Sequence, residues 1–86
     1  MKIWNIVAAY VGENQANGYN PSGEVVASFK NYDDAKVAFK KQIDSEMLYS
    51  DEYEIELENL SENEVLIINR GEDYAVNIKL QSSILQ

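Results

Sequence analysis

One segment of this chain has the periodicity of an amphipathic helix, and that single helical stripe most constrains the fold. The segment begins at Asn31, whose side chain suits a helix N-cap, and it ends near residues 47–49. Its apolar residues recur every three or four positions: Tyr32, Ala35, Phe39, Ile43 and Met47. A lone helix with one apolar stripe must bury it against another layer, and the surrounding segments predict that this layer is a sheet.

Five segments around the helix have the character of β-strands. They cover residues 2–11, 24–30, 53–60, 64–69 and 74–80. The first and fourth are apolar on both faces, which is typical of interior or helix-covered strands, whereas the third and fifth alternate. In the second strand we expect Val25, Ala27 and Phe29 on one face. The tail, residues 81–86, is expected to fray or to form a short cap.

In the third strand, the alternation predicts Tyr53, Ile55 and Leu57 pointing inward. It predicts Glu54, Glu56 and Glu58 in a row on the outer face, about 6.6–6.8 Å apart. The complete order, β-β-α-β-β-β, predicts an α+β fold. We expect a single antiparallel sheet with one helix packed on one face, in a single domain over residues 1–86.

Composition argues against most catalytic chemistry. The 86 residues include neither cysteine nor histidine, so the commonest nucleophiles, bases and transition-metal ligands are missing. The glycines fit no phosphate-binding loop, and residues 50–60 have acids but lack the mid-loop glycine of a calcium loop. We therefore expect a non-catalytic protein with no cofactor and no metal.

The start of the chain lacks a signal-peptide pattern, and no apolar run is long enough to span a bilayer. The expected location is the cytoplasm, that of the host cell if a phage encodes the protein. A net charge of −8 and a pI near 4.3 argue against direct binding to nucleic acid or anionic membranes. Basic protein surfaces are the expected partners.

The negative charge is concentrated in one quarter of the chain. Residues 1–43 carry a net charge of +1 and residues 65–86 a net charge of zero, whereas residues 44–64 hold nine acids and no base. With the flanking acids, the glutamate row approaches the charge density of one DNA strand, about one charge per 3.4 Å. The candidate protein-binding residues are therefore Asp44, Glu46, Asp51, Glu52, Glu54, Glu56, Glu58, Glu62 and Glu64.

A second candidate site is the connection between the first two strands, residues 12–23, which contains Tyr19 between a glycine and an asparagine. Long loops with an aromatic residue often bind partners. A different reading gives the acids a role in solubility and in blocking sheet extension. In that case the chain is a small structural or regulatory protein, and a homodimer joined through a sheet edge remains open.

The segment Phe29-Lys30-Asn31-Tyr32-Asp33-Asp34-Ala35-Lys36-Val37-Ala38-Phe39 follows a tryptophan-containing strand and a Gly/Asn-rich loop. In this layout the chain resembles small acidic proteins of bacteriophages and mobile elements, some of which are anti-CRISPR or anti-restriction proteins. The resemblance implies a stoichiometric inhibitor that occupies the nucleic-acid groove of a host defence nuclease by DNA mimicry. It assigns no site residue.

Overall fold

The computed structural model describes residues 2–12, 23–48, 52, 54–71 and 73–84. It contains five strands and one helix, in the order β1 (Lys2–Gly12), β2 (Glu24–Phe29), α1 (Tyr32–Glu46), β3 (Ile55–Ser61), β4 (Glu64–Asn69) and β5 (Tyr74–Ile84). The expected α+β architecture is confirmed. Most of the predicted loop, including Glu13–Ser22 with Tyr19, lies outside the described residues.

The strands form one antiparallel sheet with the order β2-β1-β5-β4-β3. The two longest strands, β1 and β5, pair over 11 residues at its centre, from Lys2 opposite Ile84 to Gly12 opposite Tyr74. This pairing corrects the expectation for the tail, because the start of β1 gives residues 81–84 a partner strand. The free edges are β2 on one side and β3 on the other.

Asn31 caps the helix as predicted. Its side-chain oxygen accepts hydrogen bonds from the backbone N–H groups of Asp33 and Asp34 at 2.7 and 3.3 Å. Both acids also lie at the positive end of the helix dipole. In the described part of the chain, no helix has the length and apolar character needed to cross a membrane.

The core lies between the helix and one face of the sheet, called here the helix face. Ala35 and Phe39 are its buried helical members. The sheet contributes alternate residues of β1, β4 and β5: Ile6, Ala8, Val65, Ile67, Val76, Ile78 and Leu80. The predicted stripe is therefore confirmed as the packing surface of α1. The opposite side of the sheet is called the open face.

A β-bulge in β2 corrects the predicted facing of that strand. Ile6 is opposite Ala27 but the next residue, Val7, is opposite Val25, so Val26 is the extra residue. Ala27 and Phe29 consequently lie on the helix face, whereas Val25 lies on the open face. Just before β2, Gly23 has a φ of +89°, and a side chain there would approach Val7 to 3.0 Å.

Strand β3 also differs from the prediction. It begins at Ile55, and Glu54 precedes it with a φ of +53°, in the left-handed region that glutamate rarely adopts. Leu57 shares the helix face with Ile67 but is 41% exposed, because α1 packs against β1, β5 and β2 rather than β3. The predicted half-buried strand is therefore a largely exposed edge, and Glu54 is not part of its alternation.

We expect Phe39→Ala to lower the free energy of unfolding by about 3–5 kcal/mol, because truncation of a fully buried aromatic side chain leaves a cavity. Phe39 is only 2% exposed in the core. Equilibrium urea denaturation measures the change. The matched control is Val37→Ala on the outer side of the same helix, which should change stability by less than about 0.5 kcal/mol. A loss below about 1 kcal/mol for Phe39→Ala would contradict this packing.

Candidate functional site

The structure separates the predicted site residues, the nine acids and Tyr19, into three groups. Asp51 and Tyr19 lie outside the described residues, so the structure does not locate them. Glu46 and Asp44 belong to the last turns of α1. The remaining acids lie just before β3, on it, in the turn after it or at the start of β4: Glu52, Glu54, Glu56, Glu58, Glu62 and Glu64.

Glu46 faces the sheet and is not part of an exposed patch. Its carboxylate accepts hydrogen bonds from the hydroxyl groups of Tyr10 at 2.8 Å and Tyr74 at 3.1 Å. An acid in the last turn of a helix is opposed by the helix dipole, and the helix offers no base there. The two tyrosine donors compensate, so Glu46 joins the end of α1 to the centre of the sheet.

Four exposed glutamates define the acidic β3 edge: Glu54, Glu56, Glu58 and Glu62. Glu56 and Glu58 are strand residues on the open face, opposite Ile68 and Leu66 of β4. Glu54 and Glu62 flank the strand at its two ends. An extended backbone with alternate side chains on one face fixes a carboxylate spacing of about 6.6–6.8 Å within the strand.

Neutralisation along the acidic β3 edge is incomplete. Arg70, at the end of β4, donates to Glu56 at 3.0 Å, and this hydrogen bond and the charge of Glu56 raise the pKa of Arg70. Both side chains are more than half exposed, so this ion pair adds little stability. Among the described residues, no basic side chain forms an ion pair with Glu54, Glu58 or Glu62. Those three carboxylates face solvent.

The carboxylate of Glu64, unlike those of the acidic β3 edge, is stabilised by a hydrogen bond within the sheet. Glu64 is half-buried on the open face of β4, where Asn77 of β5 donates to its carboxylate at 3.0 Å. Lys79 lies directly opposite it on β5. Glu64 is therefore held by its neighbours within the sheet, and it borders the acidic β3 edge rather than extending it.

The turn between β3 and β4 fixes one end of this edge against the helix. Lys36 donates to the side-chain oxygen of Asn63 at 2.7 Å and to the backbone carbonyl of Glu62. Tyr32 donates to the same Asn63 oxygen at 3.2 Å. The carbonyl of Asn63 accepts from the backbone N–H of Leu80 at 2.8 Å. The acidic edge thus has a rigid attachment at this turn.

Sequence reasoning missed the residues that organise these acids. Arg70, Asn77, Tyr10 and Tyr74 act through strand pairings distant in sequence, for which the linear pattern gave no signal.

The open face also has a depression of about 360 Å³ at one end, which the sequence did not predict. Val11, Ile68 and Ala75 are among its lining residues. Arg70 lies at this depression as well as beside Glu56. Among the described residues, no three acids converge closely enough to hold a metal ion.

The contact of Tyr10 with Glu46 predicts a pH effect. Burial, and then the hydrogen bond and charge of Glu46, raise the pKa of Tyr10 well above its ordinary value of 10.0. Above about pH 10 the unfolded chain therefore loses a proton that the folded protein retains, so stability should fall as pH rises. Tyr10→Phe should lower stability by about 1 kcal/mol at neutral pH and should reduce the alkaline fall.

Thermal unfolding between about pH 8 and pH 11 measures both effects for Tyr10. The matched control is Tyr32→Phe, which loses a hydrogen bond to the neutral Asn63 and leaves Tyr10 in place. It should keep the alkaline fall of the parent. An equal alkaline fall in Tyr10→Phe and the parent would contradict the assigned linkage.

Comparisons with protein-family models, curated proteins and solved structures give no match. Family membership therefore does not enter the assignment of function, which rests on the residues and geometry described above.

Proposed function

We propose that this chain is a non-catalytic binding protein whose acidic β3 edge docks on a Lys/Arg-lined protein surface. We propose further that this surface is the nucleic-acid groove of a host defence nuclease, which the chain inhibits by DNA mimicry. The observation that carries the proposal is the group of four exposed glutamates on and beside a free sheet edge, of which one forms an ion pair within the described part of the chain.

The backbone supports this role because an extended edge strand presents carboxylates in a linear row. Their spacing within the strand is about twice the 3.4 Å charge spacing of one DNA strand. Glu54 and Glu62 add exposed carboxylates just beyond the two ends of the strand, and Glu52 lies close in sequence to Glu54. A basic groove shaped for a phosphate backbone would therefore match the acidic β3 edge in charge and in its extended shape.

The energetics also favour a basic partner. Like charges on neighbouring positions of a strand are mutually destabilising. In the described part of the chain, Arg70 forms an ion pair with Glu56 and a weaker electrostatic contact with Glu54, whereas Glu58 has no ion-pair partner. A docked Lys/Arg surface would remove that repulsion. Charge complementarity of this kind chiefly accelerates association and selects the partner, so binding should weaken as salt rises.

A second function is supported by the location of the same acids. Charged side chains on an edge strand prevent a sheet from pairing with another chain, and β3 is the free edge that carries them. In this alternative the chain is a small structural or regulatory protein, and the acids preserve solubility. Under this alternative, removal of the acids would cause aggregation, and the parent chain would inhibit no nuclease.

The proposal predicts that Glu54→Lys combined with Glu58→Lys abolishes competition with DNA. Glu56 is left intact so that its ion pair with Arg70 is the same in the variant and the parent. The measurement is displacement of a labelled DNA duplex from purified RNA-guided and restriction nucleases of bacterial defence systems. The parent should compete at about 50 mM salt and lose at least tenfold in affinity by about 300 mM, as expected for binding through several exposed charges.

The matched control is Glu24→Lys combined with Asp33→Lys, two exposed acids on β2, at the opposite edge of the sheet, and in the first turn of α1. Each reversal adds two charge units, so both double variants have a net charge of −4 instead of −8. The control should retain most of the competition, and circular dichroism must show both variants folded. If the folded edge variant competes as well as the parent, DNA mimicry by this edge is wrong. If the parent chain does not compete with DNA and the edge variant aggregates, the result favours the alternative role of the acids in solubility.

A further inference from the structure

The backbone of β3 directs hydrogen-bonding groups to a free edge of the sheet, where no strand of the described chain pairs with it. Ile55 lies opposite Asn69 of β4. The N–H of Arg70 donates across this pair to the carbonyl of Glu54 at 3.3 Å, which is the pattern of a non-hydrogen-bonded pair. Because the pattern alternates, the even-numbered residues of β3 bond to β4. The residues that direct their N–H and C=O groups outward are Ile55, Leu57 and Asn59.

The side chains of β3 differ in character on the two faces of the sheet. On the helix face, Leu57 is 41% exposed because α1 packs over other strands. On the open face, Glu56 and Glu58 are exposed, and in the described part of the chain Glu58 has no ion-pair partner. Pairing with β4 is regular over residues 55–59, and the register shift lies beyond this run. The free edge is therefore regular, apolar on one face and acidic on the other.

The backbone pattern and the charges together specify what this edge accepts. An added antiparallel strand forms hydrogen-bonded pairs with the outward-directed residues, and it forms non-hydrogen-bonded pairs with Glu56 and Glu58. Side chains approach most closely in non-hydrogen-bonded pairs, so a lysine or arginine opposite each glutamate lies in reach of its carboxylate. An apolar residue opposite Leu57 removes exposed apolar surface from water. An added strand with acidic side chains on the open face is repelled.

We propose that an extended segment of a partner protein, in which basic and apolar residues alternate, adds to β3 as an antiparallel sixth strand. Its basic side chains lie on the open face beside Glu56 and Glu58, and its apolar side chain contacts Leu57 on the helix face. Main-chain hydrogen bonds supply affinity and the alternating side chains supply specificity. This inference rests on the proposed docking of the acidic β3 edge on a basic protein surface, and it does not depend on that protein being a nuclease.

A peptide titration of the isotope-labelled full chain tests strand addition. The probe is a capped peptide of about seven residues in which lysine alternates with valine, and the matched control has the same composition with its lysines grouped at one end. At about 50 mM salt, saturation with the alternating peptide should slow hydrogen exchange of the Ile55, Leu57 and Asn59 amides at least fivefold. The grouped peptide should bind at least fivefold more weakly. Unchanged exchange of these three amides would overturn the proposal.

Methylation of the peptide backbone separates strand addition from charge attraction alone. In the proposed register the valine N–H groups point toward β3 and the lysine N–H groups point away. N-methylation of the central valine should therefore weaken binding at least tenfold, whereas N-methylation of a neighbouring lysine should weaken it less than about threefold. Equal binding of the two methylated peptides would overturn strand addition, and it would leave docking of the acidic β3 edge on a basic surface intact.

Charge reversal at each edge of the sheet locates the bound peptide. Glu58→Lys should weaken binding of the alternating peptide at least tenfold, and Glu24→Lys on β2, which gives the same net charge, should weaken it less than about threefold. Circular dichroism checks that both variants fold. Equal effects of the two reversals would overturn the proposal, because the peptide would then bind elsewhere. Strand addition by a chain that competes with DNA on no nuclease would support this inference and contradict the proposed inhibition.

Discussion

The two polar contacts that fix α1 across the sheet determine what the rest of the surface can be. At one end, Glu46 receives hydrogen bonds from Tyr10 and Tyr74, which lie on the paired strands β1 and β5. At the other end, Asn63 receives hydrogen bonds from Tyr32 and Lys36. Apolar packing of Phe39 favours burial without selecting a direction, whereas these directional contacts fix the angle and position of the helix.

A helix of 15 residues is about 22 Å long and covers only part of a five-stranded sheet. Since α1 lies over β1, β5 and β2, the β3 side lacks a covering layer. A strand there must tolerate water on both faces, which accounts for the exposure of Leu57 and Leu60 and for the glutamates between and beside them. The acidic edge is thus a consequence of where the helix is fixed.

Local patterns predicted the helix, its Asn31 cap and the apolar faces of β1 and β5, because each depends on residues close in sequence. They failed where distant pairing decides the conformation. The bulge at Val26 and the extension of β5 to Ile84 follow from register with β1. Glu46 had the same appearance as its acidic neighbours in the sequence, and only the fold brings the two tyrosines to it.

The distribution of neutralising groups distinguishes acids that serve the fold from acids that do not. Glu46 and Glu64 are half-buried, and each has neutral hydrogen-bond donors that stabilise its charge. Glu54, Glu58 and Glu62 are exposed and, among the described residues, have no ion-pair partner. Glu54 is additionally held at a positive φ, and the N–H of Arg70 donates to its backbone carbonyl at 3.3 Å. A strained backbone persists only where its surroundings impose it, and such positions cluster at functional sites. Asp73, in the turn before β5, has a similar φ of +56°, so this conformation is also imposed at a turn outside the acidic β3 edge. The positive φ and the backbone hydrogen bond of Glu54 therefore fix where the chain enters β3, and the role of the exposed carboxylates depends on charge rather than on backbone strain.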